Sequence, residues 1–232
     1  MSKQYKHIFF DLDHTLWDFD RNSAATLQRL YTEHRLDDAG ITDFNDFLHK
    51  YDAHNQKLWD RFRKGFIRRE ELRWKRFWLT LLEFGVADVN LAHELSSAYL
   101  EILPTQTQLL PYAKEVLNHC KNKYTLHLIT NGFDLTQRMK LQYSGIGGYF
   151  TEIITSERSH AMKPHPTIFE YALTATGATL DDCIMIGDAL EVDVLGAKEA
   201  GWDHVYYNPA QLAHEHKLTY EVSCLSKLMG IL

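Results

Sequence analysis

His7-Ile8-Phe9-Phe10-Asp11-Leu12-Asp13-His14-Thr15 decides the fold. A short apolar run leads straight into a carboxylate, with a second carboxylate two positions on and a hydroxyl two after that. Such a run, bounded by turn residues, reads as a strand buried on both faces, and strands of that kind belong to parallel sheets covered by helices. Asp11 then stands where the strand stops, and its carboxylate projects from the carboxyl edge of a sheet. Taken alone, Asp-x-Asp-x-Thr is also the pattern of a helix-capping loop. The strand before it favours the edge.

Working outward, residues 124–129, 152–154, 183–186 and 204–207 repeat the short apolar or β-branched run. Helical segments are expected at 111–122, 133–144, 166–176 and 189–200. This alternation predicts a doubly wound sheet of five parallel strands with right-handed crossovers. Gly145, Gly177 and Gly201 fall where helices close through a left-handed residue, and Pro166 fits a first helical position. Residues 17–103 interrupt the alternation with helical patterns and no convincing strand. Trp74, Phe77, Trp78, Leu81 and Leu82 recur at helical spacing, as do Phe44, Phe47, Leu48 and Tyr51. The expected organisation is an α/β core from 1–16 and 104–232, with an inserted domain of about four helices over 17–103.

The bulk numbers exclude several classes. The chain has 232 residues, 45% of them hydrophobic and 24% charged, which suits a folded globular protein rather than a disordered one. A net charge of -6 disfavours a nucleic-acid polymer or an anionic membrane as partner, since both demand a basic surface. The apolar run before Asp11 is too short for a signal-peptide core or a membrane span, so a cytoplasmic location is expected. Cys120, Cys183 and Cys224 are odd in number and widely spaced, which indicates neither a disulfide framework nor a zinc site.

Three further segments carry chemistry. Thr130-Asn131-Gly132 ends the strand at 124–129, and a hydroxyl with backbone N–H groups at a helix entry can cradle phosphate oxygens or simply cap the helix. Lys163 precedes Pro164 just before a helix, where its charge can neutralise a phosphoryl group. Gly187-Asp188 ends another strand, with Asp193 five residues on. Together they read as a Mg²⁺-dependent phosphoryl-transfer site. Of the two leading carboxylates, the less protonated would attack phosphorus and the other would protonate the leaving oxygen; Asp11 is assigned as nucleophile and Asp13 as acid/base. Mg²⁺ takes few protein oxygens, and Asp11, Asp188 and Asp13 through its main-chain carbonyl would suffice. Asp193 is expected just outside the ligands, against the metal, a water or Lys163. Thr130, Asn131 and Lys163 are the phosphate-binding candidates. Trp17, next to the first motif, is a candidate for lining the substrate pocket. Trp74 and Trp78 read as core of the insertion, and the basic run from Arg61 to Arg76 as a solvated helical face.

These segments resemble the haloacid dehalogenase superfamily, whose members carry such motifs on a Rossmann-like core and mostly hydrolyse phosphate monoesters through an aspartyl-phosphate. The resemblance implies a strand order 5-4-1-2-3, a first-type helical cap acting as a mobile lid, and family roles for Asp11, Asp13, Thr130, Lys163 and Asp188. Asp13 speaks against halide release, because dehalogenases lack this second aspartate. Phe9 to Asp13, Leu16-Trp17-Asp18-Phe19-Asp20, Leu58-Trp59 and Ile129 to Phe133 look like bacterial pyrimidine 5'-nucleotidases. That implies a nucleoside 5'-monophosphate as substrate, with a pyrimidine preference and Mg²⁺ as cofactor. The expected working state is a monomer or weak homodimer. Sugar-phosphate or phosphoglycolate phosphatases and mutases share the core, and a catalytically silent phospho-ligand sensor is the rival of another class.

Overall fold

The computed structural model describes residues 4–232. They form two compact units, one of residues 4–19 and 107–232 and the other of residues 20–106. In chain order the elements are β1 (His7–Phe10), α1 (Phe19–Glu33), α2 (Phe44–Arg63), α3 (Arg69–Glu83), α4 (Val89–Ile102), α5 (Ala113–Cys120), β2 (Thr125–Thr130) and α6 (Asp134–Tyr143). They continue with β3 (Glu152–Thr155), α7 (Ser156–Ser159), α8 (Pro166–Thr176), β4 (Cys183–Gly187), a π-helical turn over Leu190–Val194, α9 (Leu195–Glu199), β5 (Asp203–Tyr207) and β6 (Tyr220–Val222).

The first unit is built on a parallel sheet of order β3-β2-β1-β4-β5-β6. The order expected for five strands is present, and a sixth strand extends it at one edge. β1 lies centrally because Ile8, Phe9 and Phe10 are wholly apolar and wholly buried, which only a strand covered on both faces allows. On one face Phe9, Ile129, Ile154, Ile168, Phe169, Met185 and Trp202 form a continuous core. Pro166 opens α8 at its first position, while Gly145, Gly177 and Gly201 take φ values of +69°, +70° and +82°, the left-handed conformation that glycine adopts without a Cβ penalty. Register fixes the site: Phe10 pairs with Leu128 on one side and Ile186 on the other, so β1, β2 and β4 run out at the same edge.

The second unit is helical. Asp43 and Asp88 cap α2 and α4 by accepting hydrogen bonds from backbone N–H groups in their first turns. The face that α3 buries is Leu72, Arg76, Phe77, Thr80 and Leu81, rotated from the stripe expected in the sequence. Trp74 and Trp78 are only half-buried, Trp74 stacking on His93 at 4.7 Å, and Leu82 is exposed. The rotation is possible because Arg76, read in the sequence as part of a solvated face, has partners inside: it donates to Asn55 Oδ1 at 3.0 Å and its guanidinium lies 4.8 Å from the Tyr99 ring centroid. Among the described residues no helix is long and apolar enough to cross a membrane.

Candidate active site

Asp11 follows β1 and is anchored through its N–H to Ile186 O at 2.9 Å, so its carboxylate emerges between the ends of β2 and β4. Lys163 Nζ meets Asp11 Oδ1 at 2.6 Å, Asp193 Oδ1 at 2.7 Å and the Ile129 carbonyl at 2.8 Å. A buried ammonium with three acceptors is fully satisfied. Burial acts against its charge, but Asp11 and Asp193 outweigh burial and raise its pKa above the ordinary lysine value. Asp193 is therefore the second counter-ion of Lys163. The π-helical turn aims it back at the sheet, and its Oδ2 accepts from Ala189 N at 3.1 Å. Gly187 makes room, because a Cβ there would collide with the Asp193 carboxylate.

Asp188 completes an acidic group. Each of Asp11, Asp188 and Asp193 offers an oxygen within 4.8 Å of the others. Thr15 holds Asp188 twice, donating from Oγ1 to Oδ1 at 2.9 Å and accepting from the Asp188 N–H at 3.1 Å. Burial and then repulsion from Asp193 push the Asp188 carboxyl up to about 7. Burial likewise raises Asp11 well above the carboxylate range; the Lys163 charge opposes this, while Asp193 and Asp188 add to it. Three crowded carboxylates against one ammonium leave a surplus of negative charge on hard oxygen donors, which is the donor set that a Mg²⁺ ion fits.

The carboxylate of Asp13 stands apart from that cluster. Its Oδ1 pairs with Lys140 Nζ at 2.6 Å and its Oδ2 accepts from Gln137 Nε2 at 3.0 Å, both from α6. Burial resists ionisation, yet Lys140 and these hydrogen bonds prevail and hold the carboxyl below its usual range. The acidities thus run opposite to the expected division, in which Asp11 is the less protonated. The cause is local: Asp13 has a cation to itself, whereas Asp11 shares one and is crowded by two anions.

Several site expectations need correction. The Asn131 side chain does not face a ligand; it clamps the backbone of Lys163, donating to its carbonyl at 2.9 Å and accepting from its N–H at 2.7 Å. The Gly132 N–H, expected to cradle an anion, donates to Thr130 Oγ1 at 3.1 Å. Thr130 also accepts from Gln137 Nε2 at 2.7 Å, and a hydroxyl that accepts twice has its O–H to give. Trp17 is wholly buried and presents no face to a substrate; the Lys140 ammonium lies 4.3 Å from its ring centroid. Thr15, Gln137 and Lys140 were missed. Gln137 and Lys140 lie more than 120 residues from Asp13, and nothing but a shared helix face, i and i+3, marks them in the sequence.

A doubly wound parallel sheet with its polar side chains gathered at the carboxyl edge places the chain among the α/β proteins that bind ligands at that edge. The family model of the haloacid dehalogenase-like hydrolases matches residues 5–201, and the chain belongs to that family. It is 32% identical to the pyrimidine 5'-nucleotidase PynA of Streptococcus pneumoniae, over 98% of this chain and 95% of that protein. It is 31% identical to the pyrimidine 5'-nucleotidase YjjG of Escherichia coli, over 97% and 96% of the two chains. Among solved structures, the HAD-hydrolase YfnB of Bacillus subtilis, bound to magnesium, superposes with a TM-score of 0.89 at 30% identity, covering 99% of both chains.

Proposed function

We propose that this hydrolase is a Mg²⁺-dependent phosphatase of nucleoside 5'-monophosphates with a preference for pyrimidines, acting in the cytoplasm. The observation that carries the chemistry is the buried set Asp11, Lys163 and Asp193 beside Asp188 at one sheet edge. The substrate class is drawn from the likeness to PynA and YjjG along nearly the whole chain.

An Asp11 oxygen attacks phosphorus, and the ester P–O bond breaks with its electron pair on the leaving oxygen, which takes a proton from Asp13. Because Lys140 favours the ionised form of Asp13 in the free site, Asp13 first takes up that proton from solvent as the anionic ester binds. In the second half Asp13, now a carboxylate, takes a proton from water as the water oxygen attacks phosphorus. The Asp11–phosphorus bond breaks, with its electrons returning to Asp11. Lys163 offsets charge on the phosphoryl group, Asp193 keeps Lys163 in place, and the Thr130 O–H docks a phosphate oxygen. Mg²⁺, held by Asp11, Asp188 and the main-chain carbonyl of Asp13, would polarise the phosphoryl oxygens.

The test is phosphate release from a panel of nucleoside monophosphates, sugar phosphates and phosphoglycolate, with and without Mg²⁺. The expected result is Mg²⁺-dependent release concentrated on UMP, dUMP and dTMP. Release concentrated on another class would retain the chemistry and overturn the substrate. No release from any ester would overturn both.

A further inference from the structure

Two features of α6 are unexplained by the chemistry above. Lys140 is 3% exposed, and its long side chain is threaded past the rings of Trp17 and Phe19, with centroids 4.3 and 5.4 Å from Nζ, to reach Asp13. Gln137 is wholly buried and divides its amide between Asp13 and Thr130, at the expense of a buried Oε1 that has no hydrogen-bond partner. Ordering a lysine costs side-chain entropy, and a buried ion pair is weak support for stability. Both costs converge on one carboxylate.

We propose that Lys140 and Gln137 are positioning residues for the acid/base step, fixing the orientation of the Asp13 carboxylate relative to the leaving oxygen; this rests on the phosphatase reading above. Lys140 donates to Oδ1 and Gln137 to Oδ2, so rotation about the carboxylate axis would break both bonds. Each oxygen still has a second lone-pair site for the transferred proton. Proton transfer requires hydrogen-bond reach and alignment, and a displacement of about 1 Å can lower a rate on the order of 100-fold. Gln137 ties the same carboxylate to Thr130, so one amide holds the acid/base group and a phosphate-docking hydroxyl in register. Gly132 is part of the device, since a Cβ there would strike the Gln137 side chain.

A residue acting through Asp13 should matter most where the leaving group needs a proton. The experiment compares kcat/KM, which reports the steps through departure of the leaving group, for the best alkyl ester of the panel and for p-nitrophenyl phosphate, whose phenolate leaves unaided. Lys140→Met keeps the length of the side chain and removes its donor. The expected result is a loss of about tenfold or more on the alkyl ester, with p-nitrophenyl phosphate affected less than about threefold. Lys140→Arg should recover part of the loss. In an Asp13→Asn background Lys140→Met should have no further effect on the alkyl ester. Gln137→Leu, which also removes the orphan Oε1, should show the same split and serves if Lys140→Met folds poorly. Equal losses on both esters, or losses that persist in Asp13→Asn, would overturn the positioning role while the wild type still turns over. A wild type inert on both esters would instead overturn the phosphatase reading and this inference with it.

Discussion

Strands β1 and β2 bury polar groups in both halves and treat them in opposite ways. In the amino half His7 Nδ1 and His127 Nε2 lie 3.0 Å apart with stacked rings, and Phe9 covers His127 at a 4.7 Å centroid distance. Burial first, and then the His7 charge, lowers the pKa of His127 to about 4, so the ring is neutral at pH 7. At the carboxyl end Asp11 meets Lys163, which also meets Asp193, with Asp188 beside them, while Thr130 accepts from Gln137. Burial of a charge is costly unless a partner is supplied. Where nothing requires charge, the fold keeps the group neutral; at the sheet edge it buries the counter-ion as well. Even there the balance stays incomplete, and the remaining negative charge sits on oxygen donors that would suit a cation.

The comparison is broken most severely at Asp11. Asp11→Asn removes the nucleophile while preserving shape, and phosphate release should fall on the order of 10⁴-fold or more. Near-normal release by a clean preparation would remove Asp11 from the nucleophile role. Next comes Lys163→Met, which leaves Asp11 and Asp193 buried without their cation. Removing one partner of a buried pair costs about 3–5 kcal/mol, to be read as a lower urea midpoint in Mg²⁺-free buffer. Saturating Mg²⁺ should restore part of that stability without restoring turnover. An unchanged midpoint would show that the carboxylates simply take up protons instead.

A subtler break is Gly187→Ala. The added Cβ would meet the Asp193 carboxylate, and this close approach lies in a fully buried strand. Overpacking of this kind costs about 1–3 kcal/mol. Because Asp193 holds Lys163, kcat should fall as well. The double variant Gly187→Ala with Asp193→Asn should lose little more than Asp193→Asn alone, and full additivity in activity would separate Gly187 from the Lys163 network.

What the sequence made legible follows the same division. Hydrophobic runs and their punctuation located the central strands, because a strand covered on both faces must be apolar throughout. Gly145, Gly177 and Gly201 were readable because a left-handed residue has few alternatives. β6 was not, since an edge strand of three residues, two of them exposed, is held by backbone pairing that leaves little side-chain pattern. The positions of Asp11 and Asp188 could be read from strand ends, and that of Lys163 from its place just before a helix. Asn131 was assigned to phosphate because its neighbours suit an anion, yet an amide has a donor and an acceptor and here uses both on one backbone. Trp17 shows the limit of adjacency: proximity in sequence to a catalytic motif did not decide whether its ring is offered or buried. Arg76 shows why charge runs mislead, because a long cation can be buried wherever aromatic faces and an acceptor await it, as Lys140 is too.

The histidine half sharpens the comparison through pH, with the smallest expected effect. In the unfolded chain His127 takes up a proton near its ordinary value of 6.5, whereas in the folded state it resists until about 4. Between those values the unfolded state binds more protons, so this contribution is complete above pH 6.5 and is lost as the pH falls through about 4. Its ceiling follows from about 1.4 kcal/mol per pKa unit; the expected loss between pH 7 and pH 4.5 is about 1–2 kcal/mol, since denatured chains retain partial structure. Carboxylates as a class also titrate in this window. The discriminating quantity is therefore the difference in unfolding free energy between wild type and His127→Phe at each pH. The variant fills the same stack beside Phe9 and has no ring to protonate, so its stability should decline less steeply on acidification. Parallel pH profiles for the two proteins would show that His127 opens to solvent before it is charged, and that the amino half is held by packing alone.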